Sequence, residues 1–141
     1  MKAFFDTSVL VAVFFEQHEH HERSLNVVSK GSKNSRVCAA HTLAEVYAVL
    51  TRMPGANRVS GEQALLFLQG LSEELTVIAL DGSEYMQCLD SCASMGIVGG
   101  STYDALLAHC ALKARADAIY TWNLRHYSLF GADVSKRLRT P

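Results

Sequence analysis

Residues 1–17 read MKAFFDTSVLVAVFFEQ. From Ala3 to Phe15 the stretch is almost wholly apolar, yet Asp6, Thr7 and Ser8 stand near its start. A buried ionised carboxylate with no partner is costly, or it shifts its pKa and becomes neutral. Asp6 therefore caps something, pairs with something or binds something. Lys2 to Phe5 reads as a short strand. Thr7 to Phe15 reads as a helix with Val9, Leu10, Val13 and Phe14 on one face. The carboxylate falls where the strand ends and the helix begins.

Outward from this stretch, strands and helices alternate. His20–Ser29 is a second helix ended by Gly31, and Arg36–Ala40 is a buried strand. Thr42–Arg52 is a helix stopped by Pro54-Gly55. Ser60–Leu71 is another, opened by a Ser60-x-x-Gln63 capping box. Thr76–Leu80 is a strand, and Ser83–Ser94 a helix closed near Gly96. Thr102–Ala114 is strongly patterned, with Tyr103, Leu106, Leu107, Cys110, Ala111 and Ala114 at 3.6-residue spacing. Ala118–Thr121 is a strand followed by a short turn, and the tail after Gly131 adds an edge strand. This order implies an α/β fold with a parallel sheet covered on both faces, in which ligands bind outside the carboxyl ends of the strands.

The chain has 141 residues, 49% hydrophobic and 19% charged, which suits one ordinary globular domain spanning residues 1–141. Its formal net charge of −1 excludes a polybasic nucleic-acid binder but not a local grip on a short stretch. The basic groups Lys30, Lys33 and Arg36, then Arg52 and Arg58, then Lys136, Arg137 and Arg139 read as solvated faces or tail. No apolar run reaches the ~20 residues of a membrane helix. The start lacks the cleavage site of a signal peptide, so cytoplasm is the expected location. Cys38, Cys88, Cys92 and Cys110 form no CxxC pair and read as small core hydrophobes in a reducing compartment.

Four polar side chains are expected at one edge of the sheet. Asp6 follows the first strand, and Glu45 lies in the first turns of the helix after Arg36–Ala40. Asp104 opens the best-patterned helix, and Asn123 follows Ala118–Thr121. Each has a plain structural explanation: an N-cap for Asp6, a helix-dipole acid for Glu45, a capping-box variant Ser101-x-x-Asp104, a turn for Asn123. Asp6, Glu45 and Asp104, however, are flanked by apolar stretches that a solvated cap does not need. Semi-buried carboxylates repel one another unless a cation joins them, and oxygen donors without Cys or His select Mg²⁺ or Mn²⁺. Such a pocket suits phosphodiester hydrolysis.

The segments FFDTSVLVA, HTLAEVYAVLTRMPG, STYDALLAHCALKARAD and IYTWNLRHY, in that order and spacing, resemble PIN-domain ribonucleases. Their closest counterpart is the VapC-type toxin of bacterial toxin–antitoxin pairs. The resemblance implies a three-layer α/β/α sandwich with a central parallel sheet and Mg²⁺- or Mn²⁺-dependent endonucleolytic cleavage of RNA. It places the family's acidic quartet on Asp6, Glu45, Asp104 and Asn123. Asp6 and Asp104 would ligate the metal directly, and Glu45 would bind it through water or orient the attacking water. Asn123 stands where many relatives carry an acid, so weaker metal binding is expected. Ser8 and Thr121 are candidates for supporting hydroxyls or RNA contact, and Arg125 and His126 for RNA contact. The implied partner is an antitoxin whose segment lies over the cleft. Apolar residues in Phe4–Phe15 and Leu65–Leu68, more than one small core requires, suggest a homodimer or a partner protein.

Other features carry less. His18, His20 and His21 in EQHEHHE read as a solvated helix start rather than a metal site. His41, near the expected pocket edge, is a minor candidate for RNA contact. Trp122 either stacks on a base at the cleft rim or packs against the sheet. A phosphate-accepting signalling domain would show adjacent acids after the first strand, where this chain has Asp6 alone. A catalytically inactive PIN fold that binds RNA or protein is the alternative, with Asn123 its main support.

Overall fold

The computed structural model describes all residues, 1–141. Five strands form one parallel sheet: β1 (Ala3–Phe5), β2 (Arg36–Ala39), β3 (Thr76–Ile78), β4 (Ala118–Tyr120) and β5 (Leu138–Arg139). Their order is β3-β2-β1-β4-β5. Pairs of helices carry the chain between them: α1 (Thr7–Phe14) and α2 (His21–Val28), α3 (Ala40–Thr51) and α4 (Gly61–Glu74), α5 (Gly82–Met95) and α6 (Ser101–Lys113), α7 (Leu124–Tyr127) and α8 (Ala132–Ser135).

Side-chain alternation along the strands divides the core in two. Phe4, Val37, Ala39 and Ile119 face a cluster completed by α5, α6 and residues of α7 and α8. Ala3, Phe5 and Cys38 face the opposite cluster, built with α1 to α4. This is the expected α/β/α sandwich. The four cysteines are free and buried within it.

Local signals hold at most termini. Ser60 Oγ accepts from the Gln63 amide and Gln63 Oε1 from the Ser60 amide, each at 3.1 Å. Gly96 closes α5 in the left-handed region, φ +72°. An Asp81–Glu84 capping box at the start of α5 had no place in the sequence reading. The expected turn after Thr121 is two four-residue helices, α7 and α8, too short for periodicity to reveal. Phe4, Phe5, Val9 and Leu10 are fully buried, so the apolar opening stretch serves the core. Leu65 and Leu66 remain exposed.

The order of strands fixes where a ligand can sit. From β1 the chain moves outward to β2 and β3; from β3 it returns across β1 to β4. The crevice outside the carboxyl ends of β1 and β4 is thus the topological switch point, the usual binding place in such sheets. Phe4, at the middle of the central strand, has no exposed surface. Phe4→Ala is expected to cost about 3–5 kcal/mol, read as a lower urea midpoint at unchanged m-value.

Candidate functional site

Asp6 is the first residue beyond β1, and its backbone continues the ladder by donating to the Tyr120 carbonyl at 3.1 Å. Its side chain caps α1 by accepting from the Val9 amide at 3.3 Å. It also accepts from Ser8 Oγ and from Thr121 Oγ1, both at 2.6 Å. Capping and pairing are both observed, and they leave Asp6 3% exposed. An ionised carboxylate offers about four acceptor sites. Oδ1 takes two of these three donors and Oδ2 one. Burial pushes the Asp6 carboxyl above its ordinary pKa, while Ser8, Thr121 and the Val9 amide pull it back.

Ser8 and Thr121 work on both sides of the crevice. Ser8 Oγ also accepts from the Trp122 amide at 3.0 Å, and Thr121 Oγ1 from the Asn123 amide at 2.9 Å. Thr121 is fully buried. Both hydroxyls orient Asp6 and tie it to the exit of β4; Thr121 has no surface left for RNA, whereas Ser8 still lines the cleft.

Glu45 and Asp104 reach the same cleft from α3 and α6. α3 follows β2 without a loop, so Glu45 lies beyond its first turn and the helix-dipole role does not apply. Thr7 Oγ1 donates to Glu45 Oε1 at 2.9 Å. α6 has Gly100 at its N-cap, and Asp104 makes no capping bond. Its Oδ2 lies 3.5 Å from His126 Nδ1. Burial raises the Asp104 pKa to about 6; His126 opposes the rise, and the nearby Asp6 and Glu45 add to it. Asn123 lines the cleft at the exposed start of α7, its side chain making no cap.

Beneath these acids lies Tyr127, fully buried, with its hydroxyl directed at the Asp6 carboxylate. Burial and the charges of Asp6, Asp104 and Glu45 hold its pKa well above the ordinary value, so it stays a neutral donor. The donor set fits a hard divalent cation: three carboxylates and an amide, all oxygen, close enough that Asp6 and Glu45 add to the raised pKa of Asp104. The side chains converge on one cleft of about 780 Å³ without closing into a three-ligand cage.

The walls of this cleft differ from expectation in four places. Trp122 is already covered: His20 stacks on its ring at 3.6 Å between centroids, and its Nε1 donates to buried Ser24 at 2.8 Å. The three histidines of EQHEHHE serve separate structural bonds, His21 Nδ1 to the Ala12 carbonyl and His18 Nδ1 from the His20 amide. Arg52 lines the cleft and Arg125 does not. In the sequence Arg52 reads with Arg58 as part of a solvated face, because its position at the end of α3 fixes no orientation until that helix is packed. Tyr103, assigned by its spacing to the core face, is 52% exposed at the rim.

Comparison with known proteins places this geometry. Residues 3–129 match the PIN domain. The chain belongs to the PIN-domain family. Among PIN relatives from Mycobacterium tuberculosis, ribonuclease VapC40 is 36% identical over 120 residues, 85% of each chain. Ribonuclease VapC27 is 30% identical over 112 residues, 79% of this chain and 78% of that one. The PIN fold recurs in the crystal structure of Mycobacterium tuberculosis VapC20, described as a sarcin-ricin loop cleaving toxin. That structure has a TM-score of 0.65 at 20% identity, covering 84% of this chain and 87% of that one. It recurs in Rickettsia felis VapBC2 bound to a promoter DNA fragment, with a TM-score of 0.68, 16% identity and coverage of 99% and 98%.

The raised Asp104 pKa has a consequence for stability. Between the ordinary value of 3.8 and about 6 the folded protein holds a proton that the unfolded chain has released. Unfolding free energy therefore falls as pH rises through this window and stays lowered above it. In metal-free protein, Asp104→Asn is expected to flatten that fall and to raise the melting temperature at pH 7, as read by calorimetry from pH 4 to 8.

Proposed function

We propose that this PIN-domain chain is a divalent-cation-dependent endoribonuclease, the toxin of a toxin–antitoxin pair. The observation that carries the reading is the convergence of Asp6, Glu45 and Asp104 in one cleft at the switch point. The relatives' names and the toxin structures that share the fold support it.

Asp6 and Asp104 are the direct ligands of Mg²⁺ or Mn²⁺, with Glu45 and Asn123 completing the site. The cation supplies charge neutralisation at a phosphoryl oxygen and activation of water for attack on phosphorus. The chain's own groups hold the rest in place. Ser8 and Thr121 fix the Asp6 carboxylate and Thr7 fixes Glu45. His126, exposed beside Asp104, and Arg52 on the cleft wall offer positive or hydrogen-bonding contact to the RNA backbone. Exposed Leu65, Leu66, Val98 and Leu129 supply apolar surface for protein partners, an antitoxin and a second copy of the chain. No helix is long and apolar enough to cross a membrane.

Purified protein is expected to cut an unstructured RNA with Mg²⁺ or Mn²⁺ and to stop when EDTA is added. Asp6→Asn and Asp104→Asn are each expected to lower the rate by roughly a thousand-fold or more, with circular dichroism unchanged. Full activity in both variants would remove the assignment. RNA binding with no cutting under any cation would favour the inactive binding module. Asn123→Asp adds the missing charge and is expected to tighten Mn²⁺ binding about ten-fold by calorimetry.

A further inference from the structure

On the α6 side of the cleft Tyr103 lines the wall, and His41 of α3 stacks against its ring from behind. His41 and Tyr103 lie nearly parallel, 6° between planes and 5.3 Å between centroids. His41 stands one turn before Glu45, its Nε2 4.0 Å from Oε1, and Tyr103 directly precedes Asp104. The pair is thus built onto two of the three acids. Leu106 and Leu107, one turn further along α6, are buried, whereas Tyr103 is half exposed at the rim. A ring backed by another ring and left open to the cleft offers a flat, stiffened surface where a planar ligand can lie. The opposite wall offers none: His20 covers Trp122, Arg23 sits over the same ring at 5.2 Å, and Ser24 holds its Nε1.

We propose that the Tyr103–His41 pair is a base-stacking platform, which receives the unpaired nucleobase beside the phosphate lying at the acids. The inference rests on the ribonuclease reading above and names a residue that selects its substrate. Stacking on an aromatic side chain tolerates any base but needs one free of its helical neighbours. A base inside a duplex is covered on both faces and cannot reach Tyr103. The platform therefore directs the cleft to single strands, loops and bulges, whereas the acids alone would treat all phosphates alike.

The test uses the full chain carrying Asp104→Asn, so that RNA is bound and not cut. The probe is an oligouridine with one central 2-aminopurine, whose emission falls when it stacks on an aromatic ring. Binding is expected to quench the emission. Adding Tyr103→Ala is expected to abolish the quench and weaken binding about ten-fold or more by anisotropy. Tyr103→Trp is expected to restore both, and the same probe in a duplex to bind no better than to the Tyr103→Ala protein. Unchanged melting temperature and unchanged Mn²⁺ affinity of Tyr103→Ala in the otherwise unsubstituted protein separate the role from a structural one. Quench and affinity that survive Tyr103→Ala, or equal binding of the duplex, would overturn the platform while leaving the nuclease intact. Protein that neither binds nor cuts RNA would remove the ribonuclease reading and the platform with it.

Discussion

The structure depends on a carboxylate held where a carboxylate is expensive to hold. Asp6 sits at the end of the central strand, at the point where the chain's path across the sheet reverses direction. Three donors within 3.3 Å come from two ends of the chain: Ser8 and Val9 from the start of α1, Thr121 from the end of β4. Through Ser8 and Thr121 the carboxylate also positions the amides of Trp122 and Asn123. One side chain thus joins β1, α1 and β4 at the place where a ligand would bind. Hydrogen bonds to a charged group contribute about 1.5–3 kcal/mol each, and burying the charge costs several kcal/mol in return. The net stabilisation is small, so the arrangement is better explained by the site it organises than by the stability it adds.

The surrounding acids reinforce that conclusion. Glu45 and Asp104 are brought toward Asp6 by different helices, and neither caps the helix that carries it. Burial and mutual repulsion leave Asp104 titrating near 6. Two perturbed acids gathered in one cleft mark a site held at the expense of stability. A structural ion-pair network would have brought in a buried lysine or arginine; the only cationic group beside Asp104 is a largely exposed histidine.

The features legible in the sequence are those set by local chemistry and by alternation. Phe4 and Phe5 on opposite faces of β1, the Ser60–Gln63 box and the closing Gly96 follow from rules that operate within a few residues. The placing of Asp6 at the rim followed from the parallel-sheet rule, because a residue just past a strand can face only one edge; Glu45 and Asp104, carried on helices, were placed there with the help of the family resemblance. What failed depended on packing between elements. Tyr103 shares the spacing of Leu106 and Leu107, and only the tilt of α6 against β2 decides that it faces the cleft. Thr7 reaches Glu45 across 38 residues, and Ser8 and Thr121 turn inward to a shared carboxylate. Hydroxyls choose among several nearby acceptors, and that choice belongs to the tertiary structure. Trp122 fell between two sequence readings, and the choice lay with His20, a neighbour 102 positions away in the numbering.

The charge of the cleft sets a constraint that net charge conceals. Asp6, Glu19, Glu45 and Asp104 line it together with Arg52 and three histidines. With the histidines neutral the lining is anionic, and a polyanion approaching it is repelled. On the proposed reading, a divalent cation reverses this balance locally, so cation and RNA favour each other's binding by the same factor. Such coupling makes occupancy of the acids strengthen the hold on substrate. It also explains how a chain with a net charge of −1 handles nucleic acid without a basic face. Attraction is concentrated around the cation and Arg52, and uncharged contacts must supply the remaining affinity. The two aromatic walls stand on either side of that point, one sealed by its own neighbours and one open.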